Sequence, residues 1–255
     1  MTEVLKAEKL SKHFGGLIAV NQVSFQIQPN ECVGIIGPNG SGKTTFFNLL
    51  SGLFSPTAGR IFFFEKDITK LSPNQRVLKG MVRTFQLVSV FSSMTVWENL
   101  VLSSRRFQQE PMSEWSFLFS PADSEGIRKD CFAAMKVVGL EKQGQTMTSE
   151  LSYGSKRMLE IGIALSLKPK LLLLDEPLSG LSDLEITEVI DILQRIKKDL
   201  TLVIIEHKLS KIVNLVGRLC VMNEGSFICE GEPEQVLSDQ KVRECYWGKG
   251  EIAVT

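Results

Sequence analysis

The sequence predicts an α/β fold: a parallel or mixed sheet flanked by helices, an antiparallel β layer on its N-terminal side, and an inserted helical segment. Three observations predict it. First, the apolar run Cys32–Ile36 leads into Gly37-Pro38-Asn39-Gly40-Ser41-Gly42-Lys43-Thr44-Thr45 and then into Phe46-Phe47-Asn48-Leu49-Leu50. That is the strand, glycine-rich loop and helix order of a phosphate-binding turn. Second, two more apolar runs, 171–174 and 202–205, end in polar residues, as buried parallel strands do where ligands bind. Third, residues 5–10 and 23–27 alternate apolar with polar residues, the pattern of half-buried antiparallel strands.

The glycine-rich loop carries its own chemistry. Gly37, Gly40 and Gly42 let the backbone turn tightly with its N–H groups aimed inward, and Pro38, Asn39 and Ser41 complete the loop. The helix N-terminus adds a partial positive charge and Lys43 a full one, so a polyphosphate is the fitting occupant. Thr44 and Thr45 follow on the first helical turn, where the Thr44 hydroxyl is placed to ligate the Mg²⁺ that accompanies a nucleoside triphosphate.

Composition bounds the rest. The 255 residues include 29 basic and 29 acidic side chains, so no global field recommends nucleic acid as a partner. Cys32, Cys131, Cys220, Cys229 and Cys245 are scattered without a CxxC and read as buried thiols of a reducing compartment. The start Met1-Thr2-Glu3 lacks a basic-then-apolar leader, and no apolar run approaches bilayer-spanning length. A cytoplasmic protein is expected, held at any membrane by a partner.

In chain order, Lys12-His13-Phe14-Gly15-Gly16 places an aromatic ring in a glycine-containing loop ahead of the phosphate turn. Phe14 is a candidate to stack on adenine, with packing beneath the loop as the alternative. Residues 59–64 add a third extended run. Arg83-Thr84-Phe85-Gln86 then ends a short strand, which sets the Gln86 amide at the exit from the sheet, within reach of a metal or a water. Thr95 with Glu98 resembles a capping box opening a helix, and residues 124–140 are amphipathic. Residues 88–150 are therefore read as an inserted helical subdomain, and residues 1–87 with 151–255 as the core and its antiparallel layer.

The second half supplies the acids. Asp175 and Glu176 stand at the end of a leucine run, where Asp175 suits Mg²⁺ and Glu176 suits deprotonating the water that attacks a γ-phosphate. His207 stands at the end of another buried run and suits a hydrogen bond to a γ-phosphate oxygen. Ser152-Tyr153-Gly154 open a helix and form a second anion site, one more than a single nucleotide needs, which suggests that it faces the nucleotide of a partner copy.

Taken in order, the phosphate loop, Gln86, Ser152–Gly154 (residues 152–154), Asp175-Glu176 and His207 closely resemble the ATP-binding subunit of an ABC transporter, over residues 5–248. Arg83-Thr84-Phe85-Gln86, Met94-Thr95-Val96-Trp97-Glu98-Asn99-Leu100, the Tyr-Gly signature, Ile205-Glu206-His207 and Cys245-Tyr246-Trp247-Gly248 are similar to the branched-chain amino-acid importer ATPases of the LivG type, with urea-importer ATPases a close second. The resemblance implies an ABC ATPase fold with a P-loop NTPase core and an ATP-hydrolysing motor that works as a dimer with a second ABC ATPase subunit. It also implies two transmembrane permeases, an extracytoplasmic substrate-binding protein, and a place on the inner face of the cell membrane. By the same resemblance Phe14 stacks the adenine, Gln86 senses metal and water, Ser152, Tyr153 and Gly154 meet the partner's ATP, and residues 179–182 cross the dimer interface. Three positions depart from the family pattern: Ser155 for Gln or Glu, Ser182 for Asp or Asn, and Ile163 for Arg. A soluble ABC-type ATPase and a non-catalytic nucleotide-binding regulator are the readings from other classes.

Overall fold

The computed structural model describes residues 3–86, 88–108 and 125–247. The chain begins with a hairpin, β1 (Leu5–Phe14) and β2 (Leu17–Ile27), continues through β3 (Cys32–Ile36) into α1 (Lys43–Ser51), and returns through β4 (Ala58–Phe63) and β5 (Lys66–Asp67). After α2 (Pro73–Leu78) and β6 (Met81–Arg83), α3 (Val96–Gln108), α4 (Glu125–Val137) and α5 (Tyr153–Ser166) lead to β7 (Leu171–Asp175). The remainder runs α6 (Asp183–Ile196), β8 (Thr201–Ile205), α7 (Leu209–Ile212), β9 (Arg218–Asn223), β10 (Ser226–Gly231), α8 (Pro233–Ser238) and α9 (Gln240–Trp247).

Two sheets result. The first is antiparallel in the order β2-β1-β4-β5; the second has the order β10-β9-β3-β8-β7-β6 and is parallel except for its edge pair β9 and β10. The parallel strands are apolar because helices or the other sheet cover both faces. Their alternation splits them between two cores. Leu171, Leu173, Val203 and Ile205 pack toward α1 and the antiparallel sheet, whereas Leu172, Leu174, Leu202 and Ile204 pack toward α3, α4, α5 and α6.

Register then sets the functional edge. Ile35 pairs with Ile205, and Ile205 with Asp175, so three neighbouring strands end on one level. Because these strands are parallel, the chain leaves each of β3, β6, β7 and β8 at the same edge of the sheet. The phosphate loop, Gln86, Asp175-Glu176 and His207 follow those four exits.

Two readings of the sequence are corrected. Lys12 to Phe14 belong to strand β1, and only the Gly15–Gly16 pair (15–16) forms the turn. The strand extends past its simple alternation because register shifts between Ala7 and His13, with Lys9 at φ 45°, redirect its side chains. Cys229 and Cys245 are only half-buried, unlike Cys32, Cys131 and Cys220. Residues 109–124, which include Pro111 and Pro121, lie outside the described residues.

The helix behind the phosphate loop ends in Gly52, at φ 82°, whose N–H donates to the Leu49 carbonyl, and one side chain covers the rest of that end. Arg76, 1 % exposed, donates from Nη1 to the carbonyls of Leu49 (2.7 Å) and Leu50 (2.6 Å), from Nη2 to Thr69 (3.0 Å) and from Nε to Leu71 (3.1 Å). A cation at the C-terminus of α1 satisfies its last carbonyls and opposes the negative end of the helix dipole. Arg76→Met should leave the Leu50, Thr69 and Leu71 carbonyls without this donor and cost about 3 kcal/mol of unfolding free energy, read from urea denaturation.

Candidate active site

The phosphate loop requires glycine for steric reasons. Gly42 sits at φ 104°, where a Cβ would strike the Ala19 carbonyl, and a Cβ on Gly37 would strike the Met222 carbonyl. The loop is thus pressed against β2 and β9, and its backbone has one available path. Lys43 is 5 % exposed and donates from Nζ to the carbonyls of Gly37 and Pro38 (both 2.8 Å) and to Ser41 Oγ (3.3 Å). Burial holds the Lys43 pKa below the usual lysine range, opposed by the nearby Glu176 and Asp175 carboxylates. An ammonium in that setting favours additional negative charge, which a phosphate supplies. Thr44 is exposed on the first turn of α1 and Thr45 is half-buried, so the Thr44 hydroxyl faces outward.

Asp175, 2 % exposed, ends β7 and forms an ion pair with Arg83, Nη2 to Oδ2 at 2.6 Å. Burial raises the Asp175 pKa and the guanidinium lowers it. Glu176 lies beyond the strand at φ 48°, a left-handed conformation for a residue with a Cβ, and its N–H donates to Ile205 O at 2.9 Å. The turn aims the Glu176 carboxylate between two segments. Gln86 Nε2 donates to its Oε2 at 2.8 Å, and His207 Nε2 lies 2.7 Å from its Oε1. Three residues separated widely in sequence thus meet at one carboxylate.

The sequence reading gave no role to Glu206, which the structure shows to be the anchor of this arrangement. It is 2 % exposed and accepts from the N–H groups of Leu178 (2.7 Å), His207 (3.0 Å) and Lys208 (3.4 Å), tying the turn after β7 to the turn after β8. Burial raises its pKa, and those three donors offset part of the cost of its charge. An acid directly following a wholly apolar run was the available signal.

Arg157 and Glu160 were missed as well. Arg157, fully buried, donates to Phe85 O (2.8 Å) and Gln86 O (2.6 Å) and pairs with Glu160 at 2.6 Å. Glu160 in turn accepts the Phe85 N–H at 3.2 Å. The first turns of α5 therefore clasp the backbone that carries Gln86.

Ser152 caps α5, accepting the Ser155 N–H at 3.1 Å, and the Gly154 N–H donates to Glu185 Oε1 at 3.1 Å. Glu185 also closes a capping box with Ser182 at the start of α6. Ser182 thus does there the helix-capping work that Asp or Asn would do. Among the described residues, no hydrogen bond of Ser152, Tyr153 or Gly154 reaches the phosphate loop; their partners include Ser155, Lys156, Arg157 and Glu185. Phe14 is 43 % exposed, edge-on to Phe54 at 5.4 Å, with Lys12 Nζ 5.1 Å from its ring centre.

Among the described residues no cluster of three or more His, Cys, Asp or Glu could hold a metal by itself. The Thr44 hydroxyl, the Asp175 carboxylate and the Gln86 amide are hard oxygen donors that fit Mg²⁺ completed by phosphate oxygens and water. Among the described residues no helix is long and apolar enough to cross a membrane.

Comparison with known proteins agrees with this geometry. The ABC transporter family model matches residues 20–179. The chain is 35 % identical over 253 residues to the high-affinity branched-chain amino acid transport ATP-binding protein LivG of Escherichia coli K12, covering 96 % of this chain and 98 % of that one. It is equally similar, at 35 %, to the probable branched-chain amino acid transport ATP-binding protein LivG of Methanocaldococcus jannaschii, with 97 % and 98 % covered. The ADP conformation of MJ1267, an ATP-binding cassette of an ABC transporter, superposes with a TM-score of 0.86 at 34 % identity, covering 98 % of this chain and all of that one. From the loop, the converging strand tips and these matches along its whole length, it follows that the chain belongs to the ABC transporter family, as one of its ATPases.

Proposed function

We propose that this chain is the ATP-hydrolysing subunit of an import system for branched-chain or other hydrophobic amino acids. The convergence of Gln86, Glu176 and His207 on one carboxylate beside the phosphate loop is the observation that supports catalysis. The relatives support the transported class.

In this reading the backbone N–H groups of Gly37, Asn39, Gly40, Ser41 and Gly42 in the turn shaped by Pro38, together with Lys43, Thr44 and Thr45, bind the phosphates, and the exposed Phe14 stacks on the adenine. Thr44, Asp175 and Gln86 hold Mg²⁺, which when bound neutralises charge on the phosphate oxygens. Glu176 accepts the proton of the attacking water, Gln86 orients that water, and His207 steadies Glu176 and donates to the γ-phosphate. Ser152, Tyr153 and Gly154 present their N–H groups and hydroxyls to the ATP held by a second ABC ATPase subunit. Closure of the pair exploits γ-phosphate contacts that ADP lacks, which shifts the population toward the closed state. The segment between β6 and β7 docks two transmembrane permeases at the inner face of the cell membrane, and an extracytoplasmic binding protein delivers the substrate.

Glu176→Gln in the assembled transporter should lower the hydrolysis rate about 10²–10⁴-fold, the usual worth of a general base, with ATP affinity nearly unchanged. Uptake of labelled leucine, isoleucine and valine by cells should fall in parallel. Retained hydrolysis would contradict the role of Glu176, and retained uptake with lost hydrolysis would contradict the transport assignment. Phe14→Ala should weaken ATP binding by about 1–3 kcal/mol and Phe14→Trp should largely preserve it, measured by titration with a fluorescent ATP analogue.

A further inference from the structure

We propose that Arg83 is a positioning residue for the metal: it fixes the Asp175 carboxylate relative to the helix that carries Thr44, so that both can share one Mg²⁺. The inference rests on the ATPase reading above.

The guanidinium is placed through both terminal nitrogens and two aromatic rings, while its buried Nε has no hydrogen-bond partner among the described residues. Its side chain is 6 % exposed, its carbon lies 5.5 Å from the Phe47 ring centre and 5.2 Å from that of Phe85, and its Nη2 meets Asp175 Oδ2 at 2.6 Å. Its other terminal nitrogen, Nη1, donates to Asn48 Oδ1 at 2.6 Å and Ser51 Oγ at 3.0 Å. Thr44, Asn48 and Ser51 stand at i, i+4 and i+7 of α1, which is one face of a helix. The planar fork therefore bridges the tip of β7 to the same helical face on which Thr44 projects. Only arginine can hold a carboxylate with one terminal nitrogen and an amide oxygen with the other.

The bond also leaves Asp175 available. Arg83 takes Oδ2, and among the described residues Oδ1 accepts no hydrogen bond. Arg83 thus stands to a metal-binding carboxylate as an outer hydrogen-bond partner does in resident metal sites, where loss of that partner costs about 10–100-fold in metal affinity. Two other roles make opposite or null predictions. A cation that only neutralises a buried acid would leave the Mg²⁺ midpoint unchanged when its ion pair is kept and only its bonds to α1 are removed, and a cation that competes with the metal would, when removed, strengthen Mg²⁺ binding.

The test uses the full chain and a fluorescent ATP analogue, first in EDTA and then across a Mg²⁺ titration, with thermal unfolding as the check on folding. Arg83→Gln should bind the nucleotide in EDTA as the wild type does, with a Mg²⁺ midpoint raised about 10-fold or more, and Arg83→Lys should lie between. An unchanged or lowered midpoint in folded Arg83→Gln overturns the proposal. The double variant Asn48→Ala/Ser51→Ala is measured alongside: it leaves the Arg83–Asp175 pair in place and removes both of its hydrogen bonds to α1, so a raised midpoint supports the proposal and an unchanged one overturns it. Wild-type protein whose nucleotide binding ignores Mg²⁺ altogether would overturn the ATPase reading instead, a separate and recognisable result.

Discussion

The carboxylate of Glu176 is the point at which the separate parts of this chain meet. Gln86 and His207 are 90 and 31 residues away from it in sequence, yet each places a side-chain nitrogen within 2.8 Å of one of its oxygens. That meeting is possible only because β6, β7 and β8 are neighbours in a parallel sheet and open at one edge. It also depends on the left-handed turn at Glu176, a conformation that costs on the order of 1 kcal/mol and persists because the Ile205 carbonyl and the Glu206 carboxylate hold the backbone on both sides. Strain at this residue is offset by the packed sheet beneath it.

Around that carboxylate, side chains of two buried ion pairs and the Glu185 carboxylate hydrogen-bond across to elements that share no strand register with them. Arg83 ties the phosphate-loop helix to β7, and Arg157 with Glu160 ties α5 to the backbone of Gln86. Glu185 reaches from α6 to the N-terminus of α5. Buried pairs contribute little net stability, because desolvation offsets much of their attraction, but breaking one leaves an uncompensated charge. Their effect here is geometric. Each restricts how far one candidate ligand-binding segment can move without its neighbour, which is what a proposed nucleotide-driven closure would need to be transmitted through the chain.

Much of this was legible in the sequence because it is local. The phosphate loop, the leucine run ending in Asp175-Glu176, and Ser152 at a helix start are contiguous patterns, and apolar runs bounded by polar tips betray the parallel strands. What sequence spacing could not show is pairing over distance. Arg83 with Asp175 spans 92 positions and Arg157 with Phe85 spans 72, and neither spacing has a period. Phe14 was placed in a loop because alternation stops near Leu10, whereas the strand continues through bulges that reset which face each residue takes. Cys229 and Cys245 have apolar neighbours in sequence but sit on β10 and α9, elements that are only partly covered.

The central claim is that Gln86 and His207 act through one shared carboxylate. It is tested most directly by single-turnover ATP hydrolysis in the assembled complex for Gln86→Ala, His207→Ala and the double variant. Because each group holds Glu176 in addition to its own contact with metal, water or γ-phosphate, the double variant should lose measurably less rate than the product of the two single losses. Losses that add in free energy would show two independent contributions and would contradict the account.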